Sequence, residues 1–395
     1  MKTYIELQPK YSTHLGTDPE VFATRIAGKV SQRVAVVGSD QIVPENAGTN
    51  ISRDGVQIEL HAGGAGCTCR QGLADSISVA MRVLNNAVSD ARELRKDPSI
   101  AVSFAPLFTL SSWDMRELSP AARELNCKPS RNAYGRDPVM RDGNIYRIRS
   151  ASGHLHLGTP IFKMIDPNDG VKLLDLFVGI PCVLVDQDPA QRIRRKTYGR
   201  AGEYRLPKHG LEYRVPSNFW LKDYKLQSFV FGMAKLGMRI CEGYMKHAHP
   251  STIWAKDLLL EKTDFAEVER VINQNDVDGA LRIYVTSIKP LTDHLYGYMG
   301  LGEGLNAPFE YFVDQIQAKG LKHWFDLDDK RVLDRWVNLH RSVGWERFLQ
   351  EVVTPQMKKA KFIMDSSKVT VTSGSVKRRN ASVIRAEEAA LPLAA

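Results

Sequence analysis

The sequence predicts an α+β protein, with a first half in which strands and helices alternate and a final third that is mostly helical. Short β-branched or alternating segments, bounded by Gly, Asp or Pro, predict strands at Val21–Ala27, Arg33–Val37, Val56–His61, Ile100–Pro106, Tyr146–Leu157 and Leu211–Val215. Apolar residues at helical spacing predict helices at Leu73–Arg95, Gly170–Val185, Phe219–Lys246, Phe265–Asn275, Gly279–Ile288, Pro308–Lys319 and Lys330–Val353.

The helix predicted at Leu73–Arg95 has the clearest pattern. Its apolar residues recur every three or four positions from Ile77 to Leu94. Asp75 near its start and Arg92 near its end suit the helix dipole. Both features predict a single amphipathic helix.

The chain is expected to have three parts. Residues 1–250 hold most of the strands and the paired polar residues, and residues 251–364 form a helical part of the same unit. Residues 365–395 form a basic, alanine-rich tail. The tail is interpreted as a solvated terminus, or alternatively as a segment that docks onto this chain, a second copy or an acidic partner.

Composition limits the class of protein. With 395 residues, of which 43% are hydrophobic, the chain is long enough for one large core or two smaller ones. The five cysteines form no CxxC pair, which favours a reduced protein. No apolar stretch is long enough to span a bilayer, and the first residues lack the apolar region of a signal peptide, so a cytoplasmic location is expected.

The net charge of +9 admits a nucleic-acid partner, but the distribution of charge disfavours one. The densest basic run, Arg192–Lys196 with Arg200, lies beside carboxylate-bearing runs, where a triphosphate would need cations. A nucleic-acid partner is therefore the less favoured interpretation, and no membrane partner is expected.

The most informative feature is a set of polar residues placed two apart in strand-like runs. In a strand, side chains i and i+2 point to the same face, roughly 6–7 Å apart. Such runs occur at 17–20, 57–61, 153–156, 203–205 and 212–214. Together they predict a sheet whose concave face holds a divalent metal and phosphate.

The acidic residues and histidines are candidate metal ligands. Asp18, Glu20 and Glu59 offer the hard oxygen ligands that Mg²⁺ or Mn²⁺ prefers. His154 and His156 share one face of a predicted strand and are framed by glycines, which suits a metal or substrate contact. The alternative is an Asp-Pro turn, a glutamate that faces water, and histidines that only pack.

Arginines dominate the later runs. A planar guanidinium binds phosphate oxygens in a bidentate way and keeps its charge. The arginines concerned are Arg194, Arg195, Arg200, Arg205 and Arg214. The alternative is a basic surface hairpin over Arg205–Tyr213, whose Glu and Arg side chains form cross-strand ion pairs. Spacing alone leaves both interpretations open.

Four motifs follow one another in an order that is more specific than any one of them. They are Gly16-Thr17-Asp18-Pro19-Glu20, Ser152–Gly158, Arg194–Arg205 and Gly210–Trp220. This succession resembles the phage phiEco32-like COOH–NH2 ligases of type 2, a group within the glutamine synthetase and glutamate–cysteine ligase superfamily. The resemblance covers residues 14–250, which would then be the ligase core.

The resemblance implies a glutamine synthetase-like antiparallel β-sheet funnel flanked by helices, with ATP at one mouth and Mg²⁺ (or Mn²⁺) ions beside it. The residues it implies to face metal are Asp18, Glu20, Glu59, His154 and Glu212. Those implied to contact nucleotide or phosphate are Arg194, Arg195, Arg200 and His156. Those implied to be catalytic are Glu20, Arg205 and Arg214. The run after Glu59 departs from the family pattern, which leaves the role of His61 open.

The implied activity is ATP- and Mg²⁺-dependent ligation of a carboxylate to an amine. ATP would phosphorylate the carboxylate, and the amine would displace phosphate from the acyl phosphate to form an amide. Both substrates stay open among small molecules, peptides and proteins. The alternative is a ligase-fold phage protein without catalysis, which serves as a structural or host-interacting component and docks through its tail in a homo-oligomer or a virion. A phage-encoded protein would act in the host cytoplasm.

Overall fold

A computed structural model of the chain describes residues 13–27, 33–125, 129–140, 142–186, 188–244, 250–289 and 328–339. The strands are β1 (His14–Thr17), β2 (Glu20–Ala27), β3 (Arg33–Val37), β4 (Ile51–Asp54), β5 (Gln57–Leu60), β6 (Ala62–Gly63), β7 (Ala101–Ser103), β8 (Leu107–Thr109), β9 (Arg131–Asn132), β10 (Ile148–Ser150), β11 (Leu155–Gly158), β12 (Glu203–Arg205) and β13 (Gly210–Tyr213). The α-helices are α1 (Arg70–Arg95), α2 (Ser112–Glu117), α3 (Pro120–Arg123), α4 (Pro167–Leu174), α5 (Ile180–Val185), α6 (Ala190–Arg194), α7 (Tyr224–Cys241), α8 (Pro250–Lys262), α9 (Phe265–Gln274), α10 (Val277–Ile283) and α11 (Asp329–Val337). The protein is thus of the α+β class, as the sequence predicts.

Two antiparallel sheets carry the paired polar residues. The first has six strands in the order β6-β1-β11-β13-β12-β9. The second has five strands in the order β3-β2-β5-β4, with β7 also paired to β2. A separate pair is formed by β8 and β10.

The two large sheets meet where the chain passes from β1 into β2 through Asp18 and Pro19. At this junction the Glu20 amide donates to the Ser152 carbonyl at 2.8 Å, and the Leu60 amide donates to the Pro19 carbonyl at 2.9 Å. The junction therefore ties the start of β2 to the segment before β11 and to the end of β5. It brings several of the sequence-predicted side chains to one place.

Helix α1 packs one face into the main core. Its buried residues follow the spacing that the sequence predicts: Leu73, Ala74, Ile77, Ser78, Ala80, Met81, Leu84, Ala87, Val88 and Ala91. The helix begins earlier than predicted because the Cys69 thiol accepts from the Gly72 amide and caps it. It ends at Lys96, which adopts a left-handed conformation, with Arg92 and Arg95 in the last turn.

Two elements differ from the sequence-based prediction. The strand predicted at Tyr146–Leu157 is divided into β10 and β11, because Ser152 bridges to Ser217 and the Gly153 amide donates to the Pro216 carbonyl. The helix predicted from Phe219 begins with a 3₁₀ turn at Asn218–Lys222. Helix α7 follows it, and the extended Asp223 caps its N-terminus by accepting from the Lys225 amide.

Some predicted elements lie outside the described residues. These are the helix at 308–319, residues 340–353 of the helix predicted at 330–353, and the tail at 365–395. Among the described residues, the helices predicted at Gly170–Val185 and Gly279–Ile288 are present, each with a π-helical turn, at Asp175–Gly179 and Tyr284–Ile288. No helix in the described ranges combines the length and apolar character that a membrane span needs.

We expect Gly153→Ala to destabilise the protein and Gly72→Ala not to. A Cβ at Gly153 would lie 2.4 Å from both the Ser217 carbonyl oxygen and the Trp220 indole nitrogen, so the backbone or the buried indole must move. A Cβ at Gly72 would meet the Cys69 sulfur at 3.4 Å, an ordinary contact, and alanine favours the helix by about 1 kcal/mol over glycine. Thermal unfolding of both variants tests this. Equal melting temperatures for Gly153→Ala and the unmodified protein would contradict it.

Candidate functional site

Asp18, His154 and Glu212 form a compact group of metal-ligand type at the sheet junction. One ligand atom from each lies within 4.8 Å of the others. His154 Nδ1 is 3.1 Å from Asp18 Oδ1 and 3.5 Å from Glu212 Oε1. The Thr17 hydroxyl donates to the His154 carbonyl at 2.6 Å and helps to hold this part of β1 against the start of β11. The structure thus brings together three of the five residues implied to face metal.

His156 contacts the same carboxylate from the other side. Its Nε2 atom lies 3.0 Å from Asp18 Oδ2, so the two histidines expected to share a face do meet a common partner. Burial would raise the pKa of Asp18, but His154 and His156 outweigh it and hold that pKa well below its usual range. Burial lowers the pKa of His154, whereas the pKa of His156 is raised because Asp18 outweighs burial there. Asp18 is therefore an anion between two imidazoles.

Glu212 lies between His154 and two arginines. Its Oε1 atom is 3.4 Å from Arg214 Nε and 3.6 Å from Arg205 Nη1. Arg205 and Glu212 are register partners on β12 and β13, so a cross-strand ion pair of the kind that the hairpin alternative describes is present. Oε1 is buried and makes no hydrogen bond to the described residues, although three nitrogen atoms lie 3.4–3.6 Å from it. It keeps a lone pair for a further cation.

Glu20 and Glu59 face each other on β2 and β5. Glu20 Oε2 accepts from the Ser152 amide at 2.9 Å, and Glu59 Oε2 accepts from the Ser52 hydroxyl at 3.1 Å. Burial, with the charges of Asp54 and Glu59, raises the pKa of Glu20 well above its usual range. Burial, with the charges of Asp18 and Asp54, raises the pKa of Glu59 to about 8. The described side chains leave these two carboxylates short of positive charge.

A large cavity of about 1000 Å³ opens beside Asp18 and Glu59. Its other charged or titratable lining residues are His14, His61, His156, Lys163, Lys208 and His209. The His156 and His209 rings stack with their centroids 5.2 Å apart. His61, whose role the sequence left open, lines this cavity and approaches Ser52 Oγ to 2.9 Å. The volume is at the upper end of the range for ligand pockets.

A smaller cavity of about 130 Å³ lies at the other end of the same polar face. It is lined by Gln57, Tyr198 and Glu203 together with apolar residues from the 125–148 region. Gln57 and Glu59 are two residues apart on β5, so one strand face reaches from the small cavity to the large one. Asp18 lines the large cavity and Tyr198 the small one, and His154 contacts both residues. The central group, formed by Asp18, His154 and Glu212, therefore connects the two cavities.

Arg194 and Arg195 are placed differently from the expectation. Both are buried, and Arg194 donates to the carbonyls of Val215 and Pro216 at 2.9 Å each. Arg195 donates to the carbonyl of Ile272. This placement argues against the expected contact with nucleotide phosphate, because the guanidinium groups are directed to backbone carbonyls in the interior.

Arg200 lies on the side of the small cavity. Its Nε donates to Glu203 Oε1 and one of its terminal nitrogens donates to the Asp137 carbonyl, both at 2.8 Å. Glu203 also accepts from the Gly199 amide at 2.9 Å. Arg200 therefore helps to build the wall that carries Glu203.

Sequence reasoning gave no role to Tyr198. Its hydroxyl lies 2.9 Å from His154 Nε2 and accepts from Arg214. It stands inside the arginine-rich run, beside Gly199, which adopts a positive φ of 68°. In the sequence, the available signal was the Tyr198-Gly199 pair inside the arginine-rich run.

The described residues fit a hard divalent cation on their donor chemistry. Two carboxylates and an imidazole nitrogen converge, and the pKa values of two further carboxylates are raised by burial together with neighbouring negative charge. The candidate holders are Asp18, His154 and Glu212, with Glu20 and Glu59 adjoining. Such oxygen-rich sets suit Mg²⁺ or Mn²⁺ better than zinc.

Comparison with known protein families agrees with the sequence motifs. A search of curated proteins gave no significant match. The stretch from residue 140 to 253 contains His154, His156, Glu212 and all five arginines of the arginine-rich motifs, but not Asp18, Glu20 or Glu59. Over residues 140–253 the chain matches the family model described as phage phiEco32-like COOH.NH2 ligase-type 2, which confirms the predicted resemblance.

Proposed function

We propose that this chain is an ATP- and Mg²⁺-dependent carboxylate–amine ligase that forms an amide through an acyl phosphate. The observation that carries the proposal is the group of Asp18, His154 and Glu212. Arg205 and Arg214 lie beside its Glu212 carboxylate. Carboxylates and an imidazole would hold Mg²⁺, and arginines would neutralise a phosphoryl group in transfer. The family match over residues 140–253 supports the same class of reaction.

The arrangement of the cavities supports a funnel with two mouths, of the glutamine synthetase-like kind. The large cavity has room for a nucleotide, and Lys163 and Lys208 on its wall suit a polyphosphate. The small cavity at the other end of the polar face would admit a second substrate. The acid and the amine would then meet at the central group.

The chemistry requires two displacements. A carboxylate oxygen of the acid attacks the γ-phosphorus and ADP leaves with the electron pair of the broken P–O bond. The amine nitrogen then attacks the acyl carbon, phosphate leaves with its electron pair, and the nitrogen gives up a proton. Bound Mg²⁺ would supply Lewis-acid stabilisation of the phosphate oxygens. Arg205 and Arg214 would hold the transferring group, where one such donor is worth on the order of 10²–10³ in rate.

We expect ATP to bind in a Mg²⁺-dependent manner, and Glu212→Gln or Asp18→Asn to abolish this binding. Each substitution removes a negative charge from the proposed cation site while nearly preserving side-chain shape. Calorimetric titration of ATP, with and without Mg²⁺, measures it. Glu93→Gln, at an exposed position on α1, is the matched control and should bind like the unmodified protein. A folded protein that binds no ATP in either condition would favour the ligase fold without catalysis.

Arg205 and Arg194 should respond differently to substitution by methionine. Arg205→Met removes a charge beside Glu212 and should lower ATP affinity by tenfold or more, with little change in melting temperature. Arg194→Met removes the side-chain donor of the buried Val215 carbonyl and one of the two donors of the Pro216 carbonyl, and it should lower the melting temperature clearly. Calorimetry and thermal unfolding separate the two effects. Loss of ATP binding in a stable Arg194→Met protein would instead support the original expectation for Arg194.

Stability of the metal-free protein should fall as pH rises from about 5 to 8, in part because of Glu59. Its pKa is raised in the folded state from 4.5 to about 8, so the folded state holds a proton there that the unfolded state has lost. Stability from this group is therefore complete below the unfolded pKa and is lost as pH rises through the folded pKa.

Melting temperatures measured across this pH range in EDTA, for the unmodified protein and Glu59→Gln, test this. The variant should show a shallower fall, and Glu93→Gln should show the same fall as the unmodified protein. Added Mg²⁺ should stabilise the unmodified protein more at pH 8 than at pH 5. Parallel curves for Glu59→Gln and the unmodified protein would rule out the role of Glu59.

A further inference from the structure

Tyr198 joins the central group to the small cavity through its hydroxyl. The hydroxyl oxygen accepts from Arg214 and lies 2.9 Å from His154 Nε2, while the ring lines the small cavity. The guanidinium carbons of Arg194 and Arg214 lie 5.6 and 5.2 Å from the ring centroid. These cation–π contacts hold the ring in place.

Gly199 fixes where Tyr198 can stand. It has a positive φ of 68°, and a Cβ there would lie 2.3 Å from a terminal nitrogen of Arg194. Its amide donates to Glu203 at 2.9 Å. The turn at Gly199 has no room for a side chain at that position, and this turn fixes the backbone of the preceding residue, Tyr198.

The other nitrogen of His154 faces a carboxylate at short range. His154 Nδ1 lies 3.1 Å from Asp18 Oδ1. Two lone pairs at that distance repel each other, so a proton or a cation must lie between the two atoms. A proton on Nδ1 makes Nε2 an acceptor, whereas a metal on Nδ1 of a neutral imidazole makes Nε2 a donor.

A tyrosine hydroxyl can partner Nε2 in both cases. Because arginine only donates, the contact with Arg214 uses one lone pair of the hydroxyl oxygen. The hydroxyl hydrogen can then point to Nε2, or it can rotate away and leave the second lone pair to accept from Nε2–H. A backbone carbonyl or a carboxylate could serve only the second case, because it has no proton to give.

We propose that Tyr198 is a positioning residue that holds His154 for metal binding and permits its exchange between a proton and a divalent cation on Nδ1. In the exchange Nδ1 releases its proton to solvent as the cation binds and Nε2 takes up a proton from solvent, so the neutral ring carries one proton before and after. Tyr198 orients the ring so that Nδ1 stays directed toward Asp18 and Glu212. This inference rests on the proposed function, since the cation is the one that the ligase would use.

The test is a titration of the protein with Mn²⁺ in the absence of nucleotide. The electron paramagnetic resonance signal of free Mn²⁺ measures how much of the ion is bound. Tyr198→Phe should weaken the tightest Mn²⁺ site by about tenfold or more, the usual effect of losing a hydrogen-bond partner of a metal-binding histidine. Tyr204→Phe is the matched control. It also loses a hydrogen-bonded hydroxyl, which contacts Asn168 at 2.9 Å, and it should bind Mn²⁺ like the unmodified protein.

A double-mutant cycle shows whether Tyr198 acts through His154. His154→Gln should weaken Mn²⁺ binding, and adding Tyr198→Phe to it should weaken binding no further. A role confined to stability would give additive effects instead. Pulsed electron paramagnetic resonance of the unmodified protein with Mn²⁺ should also show coupling to an imidazole nitrogen that is lost in His154→Gln. This measurement needs no tyrosine variant.

The outcomes separate this inference from the proposed function. Mn²⁺ binding that is equally tight in Tyr198→Phe and the unmodified protein would overturn the role of Tyr198 and leave the ligase proposal standing. Absence of nitrogen coupling in a protein that binds Mn²⁺ would do the same. Absence of Mn²⁺ binding in the unmodified protein would count against the metal site itself, and so against both.

Discussion

The burial of several carboxylates at one sheet junction is the constraint on which the rest of this structure depends. An ionised carboxylate in a protein interior costs several kcal/mol unless positive charge or hydrogen bonds compensate it. Asp18 is compensated by two histidines, and Glu212 has Arg205 and Arg214 beside it. The cation proposed for this site would complete the compensation, because Glu20 and Glu59 have raised pKa values.

Buried arginines hold the backbone that carries this charge. Arg194 donates to the carbonyls of Val215 and Pro216, which directly follow Arg214. The Pro216 carbonyl also accepts from the Gly153 amide, next to His154. The buried Arg194 guanidinium therefore helps to place His154, a metal-ligand candidate, and Arg214, a phosphate-binding candidate. Arginines of this region thus differ in their surroundings, since Arg194 contacts backbone carbonyls whereas Arg205 and Arg214 lie beside Glu212.

The two cavities provide separate routes by which the substrates of the proposed reaction could reach the central group. A ligase of this type must bring an acid, a nucleotide and an amine to one point while limiting access of water. The large cavity meets the central group at Asp18 and Glu59, and the small cavity meets it at Tyr198. Because β5 carries Gln57 to one cavity and Glu59 to the other, the cavities lie along one polar face. Tyr198 then lies at the boundary, where its hydroxyl contacts His154 and the residue lines the cavity proposed for the second substrate.

Local periodicity was enough to predict the α+β class, the amphipathic helix α1 and the shared face of side chains two residues apart. Spacing thus correctly grouped His154 with His156 before any partner was known. Which runs meet depends on how distant segments pack, because strand order and the break at Gly153 place Asp18 beside both histidines and Glu20 opposite Glu59. This packing likewise buries Arg194 and Arg195 and brings the Tyr198 hydroxyl to His154. Burial and hydrogen-bond partners are properties of packing between distant segments, and for that reason no local pattern encodes them.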